Sequence, residues 1–139
     1  MKTDRRWMLL CIVGGLLLFF GGGGLGPLVQ SAPFKTDKLA VLIVHDASET
    51  TSLPQWANST TPDSVNGWTK AHGGDFRIID QKSPTRLLDQ KWQDAMAVPR
   101  KSVPWIVAAN PTRGISQAIK DGAAGEAEAK AALAPLGGP

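Results

Sequence analysis

Leu39 to Val44 reads Leu-Ala-Val-Leu-Ile-Val, six residues without a polar side chain. Its length and its β-branched content favour a strand over a helix. Successive side chains of a strand point to opposite faces, so a strand that is apolar at every position has to be covered on both. A sheet with layers above and below it is the architecture that satisfies this, and the rest of the chain must supply those layers.

The remaining pattern does so in a regular order. His45 to Ser52 is polar loop, and Leu53 to Asn58 suits one helical turn. Thr61-Pro62-Asp63 reads as an N-cap, a first-turn proline and a first-turn acid, which predicts a helix through Trp68 to about Ala71, closed by Gly73-Gly74. Phe76 to Ile79 is a second strand and Asp80 to Thr85 a loop. Leu87 to Ala97 is a helix with Leu88, Trp92 and Met96 on one face. Val103 to Ala109 is a third strand, Asn110 to Gly114 a turn, and Ile115 to Ile119 a fourth strand across a hairpin. Asp121-Gly122 punctuates, and the alanine- and glutamate-rich Gly125 to Leu136 is a last helix. The order β-α-β-α-β-β-α predicts an α/β fold: a four-stranded mixed sheet flanked by helices. No internal repeat is visible, and the last residues, to Pro139, read as a frayed end.

Ahead of this body stands a different kind of segment. Met1 to Arg6 is basic, and Trp7 to Val29 carries no charge. A helix of that length spans about 34 Å, against about 30 Å for a bilayer core. It reads as a transmembrane anchor, with Trp7 at the interface. The alternative is a cleaved signal, because the strongly apolar part ends at Phe20, four glycines follow at Gly21 to Gly24, and Val29-Gln30-Ser31 offers a small-residue cleavage pattern. Either way the basic flank predicts an exported body, periplasmic or otherwise extracytoplasmic, tethered in the first case and secreted in the second. The expected organisation is therefore 1–31 flank and membrane or signal segment, 32–37 linker, and 38–139 a single domain.

The formal charge of +3 is concentrated at that end. Lys2, Arg5 and Arg6 against Asp4 leave twelve basic and eleven acidic side chains beyond it. A nearly neutral body has no basic stripe for nucleic acid. Cys11, the one cysteine, lies in the apolar run, so the chain has no internal disulfide, Cys-x-x-Cys pair or cysteine zinc knuckle. A metal site would need His45 and His72 to converge with Asp46 or Glu49, and no glycine-rich phosphate loop precedes a helix. No cofactor and no metal are expected.

Ser102-Val103-Pro104-Trp105-Ile106-Val107 places a proline at the mouth of an apolar run, where a ladder donor is missing. With the order of elements, this stretch resembles the thioredoxin fold, over about Lys38 to Gly138. The resemblance implies a cis proline at Pro104, entering the third strand and leaving the backbone of Val103 facing outward. A trans proline opening an edge strand is the other reading. The resemblance also makes Asn110 to Gly114 the family's hairpin turn and Gly125 to Leu136 its last helix. In redox members of that family the loop after the first strand holds two cysteines. Here it reads His45-Asp46-Ala47-Ser48-Glu49-Thr50-Thr51-Ser52-Leu53-Pro54, and hydroxyls and carboxylates cannot exchange disulfides. Whether Ser48 and Thr51, or Thr51 and Pro54, replace the cysteines stays open.

The expected function is thus a redox-inactive, membrane-tethered thioredoxin-like module that binds a protein or peptide. Its groove would be formed by Val103, Pro104 and Trp105 with Ser48, Thr51, Ser52 and Trp56, and rimmed by Arg100 and Lys101 unless those two are a solvated helix-ending pair. Trp68 and Trp92 sit at core spacings. No catalytic residue is assigned and the oligomeric state is open. A non-redox, hydrolase-like enzyme using His45 and Asp46 and a structural component of an envelope or virion are the alternatives.

Overall fold

The computed structural model describes residues 31–48 and 55–139. The expected membrane or signal segment lies outside the described residues, as do Thr51 and Ser52. Among the described residues no helix is long and apolar enough to cross a membrane.

The chain is α/β. A four-stranded mixed sheet is built from β1 (Ala40–His45), β2 (Asp75–Asp80), β3 (Trp105–Ala109) and β4 (Gly114–Ala118), in the order β2-β1-β3-β4. β1 and β2 are parallel, with His45 opposite Asp80; β3 is antiparallel to β1, with Trp105 opposite Val44; β4 returns antiparallel to β3. Among the described residues three α-helices flank the sheet: α1 (Val65–Ala71), α2 (Gln90–Ala97) and α3 (Ala123–Leu133). The carboxyl ends of β1 and β2 and the amino end of β3 meet at one end of the sheet.

The central run behaves as its composition requires. Val41 and Ile43 enter a core with Trp56, Val65, Trp68, Ile106, Ala129 and Leu133, on the side of α1 and α3. Ala40, Leu42 and Val44 enter the opposite core, with Phe34, Trp92, Met96 and Val107, on the side of α2. Trp68 and Trp92 fill these cores, and each fully buried aliphatic or aromatic side chain is worth about 1.5–3 kcal/mol relative to exposure.

Local rules were displaced at several boundaries. The first long helix starts at Val65, not beside Thr61. Ser64 is the N-cap, its Oγ accepting from Gly67 N at 3.0 Å while donating to Thr61 O at 2.6 Å, so Thr61 to Asp63 form the turn before the helix. Gly73 closes it with φ of +70°, a conformation that favours glycine. The helix expected from Leu87 is broken: a 3-10 turn at Thr85–Leu87 ends at Leu88, whose backbone is extended, and α2 begins beyond Asp89. The last helix ends at Leu133 and tightens into a 3-10 turn, Ala134–Leu136, one residue after which Gly137 takes a left-handed conformation. Val103 and Pro104 precede β3, and the peptide bond between them is cis.

The residues expected as a linker, 32–37, are packed on the sheet. Phe34 is 5 % exposed within the α2-side core, and Thr36 is buried with its Oγ1 donating to Lys38 O at 2.6 Å. Pro33 lies against Gly114 so closely that a Cβ there would stand 2.3 Å from Pro33 Cδ. Lys38 and Lys91 both pair with Asp75, which ties this entry segment, β2 and α2 together and holds the Asp75 carboxyl below its usual range, the Lys91 hydrogen bond contributing most.

Candidate functional site

Parallel pairing sets two loops side by side, the one that leaves β1 at His45 and the one that leaves β2 at Asp80. Gln81 N donates to His45 O at 2.7 Å, extending the contact one residue past the strands. Asp46 follows and is only 8 % exposed. Its carboxylate accepts from Ser48 N at 2.9 Å, from Ser48 Oγ at 2.5 Å and from Gln81 Nε2 at 2.7 Å, and Lys82 Nζ lies 3.4 Å from it. These donors hold the Asp46 carboxyl far below the usual carboxylate range, with the Ser48 hydroxyl contributing most, then Gln81.

The chemistry of this cluster is that of a loop clasp. A general base needs appreciable affinity for a proton near the working pH, and donors stabilise the ionised form of Asp46 instead. Ser48 gives its hydroxyl hydrogen to Asp46 and accepts from Lys82 Nζ at 2.8 Å, so its oxygen faces a cation and is not activated for attack. His45 does not join in: among the described residues its buried Nδ1 has no hydrogen-bond partner, and Asp46 spends its contacts on Ser48, Gln81 and Lys82. His72 Nδ1 lies 2.9 Å from Trp68 O, and among the described residues no group of three His, Cys, Asp or Glu side chains is arranged to hold a metal ion.

Beside the clasp a cleft of about 660 Å³ opens at the carboxyl end of α2. Gln81 forms one wall and is therefore shared with the clasp, while Met96, Arg100, Ser102 and Val103 line the other side. Val103 stands before the β3 ladder, and among the described residues no hydrogen bond uses its backbone N–H or C=O. Arg100 Nη1 donates to Met96 O at 2.8 Å, which fixes a cation over the end of the helix, where the dipole favours it. Lys101 is exposed next to it. A second hollow of about 440 Å³ lies across the Val98 to Lys101 segment, against Pro33, Trp105 and Ser116.

No family model, curated protein or solved structure matches this chain.

The residues named from sequence are thus partly gathered and partly separated. Val103, Pro104 and Trp105 stand at the same end of the sheet as Ser48, and Val103 lines the cleft. Trp105 is partly exposed, with its Nε1 donating to Ser116 Oγ at 2.8 Å on the α2 side. Trp56 does not share its groove. It packs in the core on the other face, its Nε1 donating to Gly122 O at 3.2 Å, because β1 turns alternate residues to opposite sides and Trp56 follows Val41 and Ile43. Gln81 and Lys82 were not singled out from sequence. Polar residues in a loop carry no signal of their own, and the only clue was that parallel pairing of the first two strands would bring their exits together.

Proposed function

We propose that this domain is a thioredoxin-like, redox-inactive binding module, carried on a membrane anchor, that holds an extended protein or peptide segment in the cleft beside Val103. The strand order β2-β1-β3-β4, with one parallel and two antiparallel pairings, supports the fold reading. The single cysteine, at position 11, supports the absence of thiol exchange.

The observation that carries the binding reading is the Val103 backbone: its donor and acceptor stand ahead of the ladder, in the wall of a cleft at the carboxyl ends of two parallel strands. Ligands of open α/β sheets bind at such ends. An extended segment would exchange hydrogen bonds with Val103 and place its side chains against Met96 and Gln81, with Arg100 and Lys101 favouring an acidic residue at the rim.

In-cell photo-crosslinking on the full-length protein tests this, with the probe at Ser102 in the cleft wall and, separately, at the exposed Ala131 on α3. A distinct protein adduct from Ser102 and none from Ala131 is the expected result. No adduct from Ser102, or the same adducts from both positions, overturns the reading.

A further inference from the structure

Two hollows meet at Pro33 on the α2 side of the sheet. One, of about 440 Å³, runs from the Val98 to Lys101 segment to Trp105 and Ser116, and the other, of about 600 Å³, lies between Phe34, Lys35 and Pro111. Among the described residues the charged side chains in their walls are Lys35, Arg100 and Lys101, with no carboxylate. Arg113 is exposed in the hairpin turn beside Gly114, against which Pro33 packs.

Among the described residues none of these four cations is in an ion pair. On the α3 side, by contrast, Lys120 lies 3.4 Å from Glu128 and Lys130 3.2 Å from Glu126. The exposed Asp37, two residues beyond Lys35, leaves the Pro33 face with a clear excess of positive charge. Trp105 stands in the same face, partly exposed, with its Nε1 already donating to Ser116 Oγ. An indole whose polar atom is satisfied and whose ring is open suits the boundary between water and lipid.

Chain length fixes how far this face can stand from a membrane. Val29, where the apolar run of the sequence ends, is four residues before Pro33. Extended chain covers at most about 3.6 Å per residue, so Pro33 lies within about 14 Å of the end of that run. The headgroup layer takes up about 5–7 Å of this distance. What is left is of the order of one Debye length, about 8 Å in physiological salt, so the cations around Pro33 are not screened from the headgroups.

We infer that this face lies on the bilayer, with Lys35, Arg100, Lys101 and Arg113 among the phosphates of anionic phospholipid headgroups and Trp105 at the interface; the inference rests on the anchor proposed above and not on what the cleft beside Val103 holds. The attraction is electrostatic and weakens with salt. The α3 side, whose cations are paired within the protein, then faces away from the membrane.

Fluorescence quenching on the full-length protein tests this, in vesicles of phosphatidylcholine and phosphatidylglycerol that carry a nitroxide on a fraction of the headgroups. The native thiol is removed by Cys11→Ser, and a fluorophore is attached through Ser102→Cys, beside Lys101, or through Ala131→Cys on α3. Quenching at least twofold stronger at position 102 than at 131 is the expected result. Reversing charge with Lys35→Glu and Lys101→Glu together should remove most of that difference, whereas Lys70→Glu, exposed on α1, should leave it unchanged. Equal quenching at the two positions, or a difference that survives the double reversal, overturns the inference alone if the protein stays with the vesicles in alkaline carbonate. Release by carbonate overturns the anchor and the inference with it.

Discussion

Gln81 Nε2 donates to Asp46 Oδ2 at 2.7 Å, joining residues 35 apart in sequence at the exits of two parallel strands. This bond makes the clasp and the cleft one unit, because the same side chain walls both. Its energetics depend on Asp46 staying ionised.

An acid dependence follows, with a definite sign. The folded state lowers the Asp46 carboxyl below its unfolded value of about 3.9, so the stability it contributes is full above that pH and is lost as the pH falls toward the folded value. Asp75 is shifted in the same direction by Lys91 and Lys38. Urea midpoints for the native protein and Asp46→Asn should differ by a constant amount from about pH 7 to about pH 5 and draw together progressively as the pH falls below about 4. A gap that persists unchanged at acid pH would assign the effect to packing.

Ser64→Ala should destabilise the protein by about 0.5–2 kcal/mol, since the hydroxyl caps Gly67 N and also binds Thr61 O. Thr61→Ala, at the position that sequence preferences favour as the cap, should cost less than half of that. Thermal or urea unfolding of the two variants separates them, and the reverse order would return the helix start to Thr61.

Phe34→Ala should cost about 3–5 kcal/mol, the loss expected for a buried aromatic, although residue 34 falls in a stretch whose sequence reads as a linker. Lys35→Ala, exposed one residue on, should fall within about 0.5 kcal/mol of the native protein. Equal, small effects at both positions would detach the entry segment from the sheet.

Trp105→Phe keeps most of the ring area and removes the Nε1 donor to Ser116 Oγ, so it should cost about 0.5–1.5 kcal/mol. Ser116→Ala should cost a similar amount, and the double variant much less than the sum, because both single changes break one bond. Full additivity in that cycle would deny the contact.

What was legible in the sequence was whatever depends on short-range repetition. Leu39 to Val44 announced a strand covered on both faces because every position is apolar, and the alternation of strand and helix signals sufficed for an α/β sheet of four strands. The place of the one cysteine, position 11, was likewise legible at once and leaves no thiol between Lys38 and Pro139. The boundaries that moved, at Ser64, Leu88 and Leu133, are places where neighbouring turns competed for the same backbone groups, which composition does not weigh.

The site was less legible for a different reason. Val103 could be named because a proline at the start of an apolar run is a local signal, but Gln81 and Lys82 joined the candidate site only when β2 lay parallel to β1 and their loop was carried beside Asp46. Trp56 was separated from Trp105 by the sheet itself, since the pleat decides which face each residue serves. Phe34 belonged to the core because a hydrophobic gap on the α2 face was available to it, and its polar neighbours in sequence gave no hint of that space. Periodicity and residue type therefore determined the elements of this protein and their order. Pairing across the sheet, which joins residues distant in the chain, decided which of its side chains meet.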